Sequence, residues 1–155
     1  MRLITLKQRK ELSNEDIANI VITAFEGGIS YWCDRAEAVK HKELDLVAPG
    51  ASGWVRILGD EYNDLLTEDR CSPYANPYFW AVDHYGYRLH DQFEEADVPL
   101  VLRASRIAMV LQKLADSDDL WDQNRAARLL EPGRYDADDA DYLIQMSVFD
   151  EVVYG

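Results

Sequence analysis

The sequence predicts an α+β fold: one small antiparallel or mixed sheet of about four strands, with one helix before it and about three helices after it. Three observations carry that expectation. A capped amphipathic segment opens at Ser13, β-branched and aromatic runs recur between residues 29 and 89, and from Ile107 onward the apolar pattern has helical spacing. The 155 residues suit one domain, and no repeat, low-complexity tract or linker divides them, so residues 1–155 are read as a single unit.

Each element has a local reason. Ser13 caps the first helix, Asp16 is the acid of a capping box, and Ile17, Ile20, Val21 and Ala24 share one face. Gly27-Gly28 then supplies the positive-φ residue that ends a helix. Ile29-Ser30-Tyr31-Trp32-Cys33 suits a pleated surface and starts a strand running towards Val39. Pro49-Gly50-Ala51-Ser52-Gly53 is a turn, followed by a second strand over residues 54–58. Residues 60–77, acidic and broken by Pro73, Asn76 and Pro77, read as irregular loop. Residues 78–82 and 85–89 form a hairpin turning at 83–86. Ile107, Val110, Leu111 and Leu114 mark one later helix, residues 121–130 a second, and Ala140, Leu143, Ile144 and Val148 a last. Residues 152–154 are a short β-prone tail.

Charge and composition bound the function. With 29 Asp+Glu against 16 Lys+Arg the net charge is −13, and direct nucleic-acid binding, which needs a basic surplus against phosphates, is not expected. The first ten residues carry four positive charges (Arg2, Lys7, Arg9, Lys10) and no acid, so residues 11–155 carry −17. The acids gather at 60–69, 91–97, 116–122 and 136–141, and about half of them fall where helices start. Cys33 and Cys71 are too few for a disulfide framework or a zinc ribbon. No apolar run approaches the ~18–20 residues of a membrane span, and the N-terminus has no secretory h-region. The expected setting is the cytoplasm of a host cell, with no membrane association.

Two stretches carry a family likeness. Gly27-Gly28-Ile29-Ser30-Tyr31-Trp32-Cys33 lies near the start; Tyr135-Asp136-Ala137-Asp138-Asp139-Ala140-Asp141, Gln145, Phe149 and Glu151-Val152-Val153-Tyr154-Gly155 lie at the end. Together these resemble a group of small, functionally uncharacterised proteins of phages, plasmids and other mobile elements, with a GGI-x-YW segment and an AD…Q…FGEVVYG ending. The likeness covers about a third of the chain and departs at Asp150, where that group has Gly; Asp tolerates the left-handed conformation better than most residues. The resemblance implies an accessory protein of a mobile element, a class that often antagonises host defence.

The candidate sites follow from residue type. Gly27 and Gly28 let a ligand approach the backbone, and Tyr31 or Trp32 offers a face for stacking, against the plainer reading of a helix stop and a core strand. Tyr74, Tyr78, Phe79, Trp80, Tyr85, Tyr87 and Phe93 crowd twenty residues, more than one sheet face easily buries, which points to Trp80 and Tyr87 at a partner surface. Asp83-His84 and His90-Asp91 flank the expected hairpin, so His84 and His90 are weak metal candidates; no cofactor is expected. No nucleophile elbow or acid–base set is present, so the chain leans away from being an enzyme, which stays a third reading.

Two function classes result. The first is a binding protein that docks an acidic, Tyr-rich surface (Asp60, Glu61, Asp64, Glu94, Glu95, Asp97) onto a basic host protein such as a defence nuclease or its nucleic-acid-binding subunit. The second is a small-ligand protein, a nucleotide being one candidate ligand, with a pocket near residues 27–32 and phosphate contacts from Arg56, Arg88, Arg103 or Arg106. The aromatic surplus also makes a homodimer conceivable.

Overall fold

Helix α1 (Asn14–Thr23) begins where the capping box predicts. In the computed structural model, which describes residues 2–5, 9–41, 53–69, 72–92 and 100–155, the Ser13 hydroxyl accepts from the Asp16 amide at 3.0 Å and the Asp16 carboxylate accepts from the Ser13 amide at 2.9 Å. An antiparallel hairpin, β1 (Arg2–Thr5) and β2 (Arg9–Leu12), precedes it and was not expected. The main sheet is antiparallel throughout, in the order β4-β3-β5-β6, from β3 (Cys33–His41), β4 (Trp54–Arg56), β5 (Tyr85–Asp91) and β6 (Leu100–Leu102). The α+β class and the four-stranded antiparallel sheet are therefore as predicted.

Register decides which face is buried, because directly opposed residues share a face. Ala36 opposes Leu89 and Ala38 opposes Tyr87, and Tyr85, Tyr87, Leu89, Leu100 and Leu102 complete the core face. Glu37 opposes Arg88, and both stand on the other face with His90 and Arg56. Over the core face, apolar side chains of α1, α4 (Ala104–Ala115), α5 (Leu120–Leu129) and α6 (Ala137–Phe149) join one cluster. Trp32, Phe79 and Trp80 are its largest fully buried side chains, each worth about 2–3 kcal/mol of apolar transfer. No helix among the described residues is long and apolar enough to cross a membrane.

Several local expectations are corrected. Residues 78–82 are not a strand: Pro77–Ala81 forms helix α3, with Pro77 at its first turn and the Asn76 side chain accepting from the Tyr78 amide at 3.0 Å. A proline at N1 behind an Asn cap outweighs the strand preference of Tyr, Phe and Trp. The hairpin at 83–86 is consequently absent, and β5 follows a turn closed by the Tyr85 amide on Val82 O. Residues 60–77 hold helix α2 (Gly59–Asp64) and a 3-10 turn at Pro73–Ala75. Residues 29–32 are a turn rather than the start of β3, and the tail at 152–154 is not a strand. The turn expected at 49–53 lies largely outside the described residues.

The glycine pair also works differently from the expectation. Neither Gly27 nor Gly28 has positive φ. The helix widens into a π turn over Ala24–Gly28, where the Ile29 amide donates to Ala24 O, five residues back, at 2.9 Å. Gly28 is needed for space: a Cβ there would lie 2.8 Å from Ala137 O, at the start of α6, whereas one on Gly27 meets nothing within 4 Å. At the other end of α6, Asp150 sits at φ 65, the left-handed end anticipated for it. Gly28→Ala is expected to cost roughly 1–3 kcal/mol by forcing α6 away, and Gly27→Ala to be neutral or to stabilise by up to ~1 kcal/mol. Urea denaturation of the two variants checks both; equal effects would contradict the close approach.

Candidate functional site

The two stretches that carry the resemblance meet in space. Asp141 and Gln145, one turn apart on the buried face of α6, form the centre. Asp141 accepts from the Trp32 indole N–H at 2.8 Å and from the Tyr31 hydroxyl at 2.6 Å. The Gln145 amide donates to both Asp141 oxygens at 3.0 and 3.1 Å and to Tyr154 O at 2.9 Å, while its oxygen accepts from the Val153 and Tyr154 amides, each at 2.9 Å. Gln145 thus holds the tail as a neighbouring strand would. The Tyr154 ring stacks on Trp32 at 5.7 Å and its hydroxyl donates to Asp91, at the end of β5. Among the described residues, the donors to Asp141 are hydroxyl, indole and amide, with no ion pair.

This clasp answers the question posed by the GGISYW segment. Trp32 is fully buried against Phe149 and Tyr154, and Tyr31, although 44% exposed, spends its hydroxyl on Asp141. Partial burial, then the Asp141 carboxylate, pushes the Tyr31 phenol up to about 12. The Trp32 ring therefore has no open face, whereas the Tyr31 ring stays partly exposed with its hydroxyl bound.

A cleft does exist beside residues 29–33, lined in part by Ile29, Ser30 and Cys33. It comprises two neighbouring cavities along β3, of about 360 and about 270 Å³, both lined by Ala36 and Tyr74. Phe25, Tyr74 and Tyr87 line it as an edge-to-face triad with centroids 5.0, 5.3 and 5.9 Å apart. Glu37 and Arg56 line the larger cavity, Asp34 and Arg35 the smaller. Glu37 is nearly buried and ion-paired to the Arg35 and Arg56 Nε atoms, each at 3.0 Å, with His90 Nε2 at 2.9 Å. The Arg88 Nη2 donates to Trp54 O at 3.4 Å, while its buried Nε has no partner.

The other expected site residues separate. Trp80 and Tyr87 are core residues, not partner-surface residues: the Trp80 indole donates to Tyr74 O at 2.8 Å, and the Tyr87 hydroxyl accepts from the Tyr74 amide at 3.2 Å. Trp80 is buried because it lies on helix α3 instead of a hairpin strand, and Tyr87 because its register opposite Ala38 puts it on the core face of β5. Asp60 and Asp64 are exposed on α2, but Glu61 is occupied by Lys40 and by the Tyr85 hydroxyl at 3.1 Å. Glu94, Glu95, Asp97, Phe93 and Cys71 lie outside the described residues. His84 and His90 do not converge, since His84 precedes β5 and His90 lies near its far end, about 20 Å along an extended strand. No group of three or more metal-ligating side chains occurs among the described residues. The Cys33 thiol is buried, and burial pushes it up, away from the nucleophilic thiolate.

One surface feature was missed. Leu120 and Trp121, opening α5, are 67% and 83% exposed. Asp116, Asp118, Asp119 and Asp122 flank them along the chain; Asp119 caps the helix by accepting from the Trp121 amide at 2.8 Å, and Asp122 accepts from Ser117 at 2.9 Å. The signal was available: Trp121 has Asn124, Arg125 and Arg128 at i+3, i+4 and i+7, so it is off the apolar stripe that buries Ala126 and Leu129.

Comparison with protein-family models, curated proteins and solved structures finds no match to this chain. The site geometry therefore has to speak for itself.

Two outcomes test the clasp. Gln145→Leu keeps volume but strands Asp141 and the tail backbone, and should cost about 2–4 kcal/mol and open residues 151–155 to proteolysis; Glu151→Ala, at an exposed position, should do neither. Folding favours the neutral Tyr31 phenol, so its contribution is complete below pH 10 and disappears as pH rises through about 12. Denaturation midpoints should fall across that window and fall less steeply in Tyr31→Phe.

Proposed function

We propose that this chain acts by binding rather than catalysis, as an acidic accessory protein of a phage or mobile element that docks onto a basic host protein, a defence nuclease or nucleic-acid-binding subunit being the target class. The observation that carries this reading is the exposed Leu120–Trp121 pair, flanked along the chain by Asp116, Asp118, Asp119 and Asp122. An apolar anchor flanked by acids has the form of an interface hot spot: the acids speed encounter with a basic surface, and the Trp supplies affinity once water is expelled. The Tyr-rich surface expected at Trp80 and Tyr87 is replaced by this corner, because those two rings are buried.

Rigidity supports the reading. The Gln123 side chain donates to Ser117 O at 2.6 Å, the Asp119 amide donates to the Ser117 hydroxyl at 3.1 Å, and Gln112 donates to Asp116 at 3.1 Å. The loop between α4 and α5 is tied before any partner arrives, so docking loses little conformational entropy.

The test is affinity capture from the natural host, followed by titration of the purified prey. Trp121→Ala should weaken binding to a basic prey at least tenfold while leaving the melting temperature unchanged, and binding should weaken as salt rises. A prey bound equally by wild type and Trp121→Ala, or insensitive to salt, would sink the proposal.

A further inference from the structure

The cleft along β3 is a second feature, independent of the acidic corner. Strand β4 pairs only with Val39–His41, and its last rung is the Ile57 amide on Ala38 O at 3.0 Å. Gly59, at φ +62, then turns the chain away into α2. Among the described residues no strand covers the Cys33–Glu37 half of β3 on that side. Rungs alternate with a period of two residues, so Ala36, two before Ala38, directs its N–H and C=O into the cleft. The register shift between Cys33 and Arg35 at one end and the Ile57 rung on Ala38 at the other limit the usable edge to Arg35–Glu37, with Ala36 at its centre.

We propose that this edge accepts an extended peptide from a partner protein as an added strand, with an aromatic or large aliphatic residue opposite Ala36 and acidic residues on either side of it. The alternation follows from the pleat. A residue opposite Ala36 projects onto the face where Phe25, Tyr74 and Tyr87 form their triad. Its two neighbours project onto the opposite face, where Arg35 and Arg56 are 65% and 63% exposed while Glu37, between them, is 14% exposed. On the face that receives those neighbours the exposed charges are the Arg35 and Arg56 guanidiniums, with Glu37 shielded between them; the exposed acid that lines the cleft, Asp34, falls within the register shift, outside the usable edge, so this edge selects an acidic peptide over a basic one. Backbone rungs supply affinity and the alternate side chains supply specificity, as in other strand-addition sites.

The probe is an acetylated, amidated pentapeptide Val-Asp-Phe-Asp-Val, compared with the same peptide carrying Lys for Asp, with amide exchange of the intact protein followed by NMR. Binding of the acidic peptide should slow exchange at the Ala36 amide at least tenfold, and the Lys peptide should bind at least tenfold more weakly. Arg56→Gln should weaken the acidic peptide several-fold, and Ala36→Pro, on an edge where proline is tolerated, should abolish binding while the protein melts as wild type. If Ala36→Pro does not fold, the exchange readout on wild type and the Arg56→Gln titration still decide. The proposal is overturned by absence of binding at millimolar peptide, by binding without protection of Ala36, by a preference for Lys, or by self-association through β3 in sedimentation, which would make a second copy the occupant. None of these outcomes touches Trp121, so this proposal and the acidic-corner reading stand or fall separately.

Discussion

A buried carboxylate, Asp141, organises this protein. Burying a charge is costly unless hydrogen bonds replace its water, and here Trp32, Tyr31 and Gln145 supply them. Those donors come from the turn after the first helix and from the last helix, more than a hundred residues apart. Satisfying one carboxylate therefore obliges the two ends of the chain to meet. Gln145 extends the obligation to the tail, whose backbone it holds with both halves of its amide.

Much else follows from that meeting. The Trp32 indole must reach Asp141 while its ring packs on Phe149 and Tyr154, so residues 29–32 turn instead of continuing as strand. The π turn and Gly28 bring the end of the first helical segment against the start of α6, where a side chain would collide with Ala137 O. A second charged pairing supports the same helix: Asp139 accepts from Arg128 Nε at 3.0 Å and Nη2 at 2.8 Å. Burial pushes the Asp139 carboxyl up, but the Arg128 hydrogen bonds and charge outweigh it and hold the group below its usual range.

What was legible in the sequence was local. The Ser13–Asp16 capping box, the apolar stripe of α4 and the left-handed end at Asp150 each depend on residues within a few positions, and each is found as expected. The start of the first strand, the hairpin at 78–89 and the aromatic surface at Trp80 and Tyr87 differ from expectation for a shared reason. Tyr31, Trp32, Phe79 and Trp80 have strand preference, but Asn76-Pro77 and the pull of Asp141 impose turns and a helix that propensity cannot report. Asp141 meeting Trp32 is a contact at 109 residues' separation, invisible to any periodicity. Its only trace was that the recognisable stretches lay at the two ends. The cleft was equally hidden, because it exists where β4 stops short, a fact of register rather than composition.

The account rests on the claim that the two ends are energetically one unit. A double-mutant cycle between Trp32→Phe, which removes the indole donor, and Asp141→Asn, which removes the charged acceptor, measures that most directly. The clasp predicts a coupling of about 1–3 kcal/mol in urea denaturation, each single change having already lost most of what the other would remove. Additivity within about 0.5 kcal/mol would contradict it, and the two ends would then be neighbours without being joined.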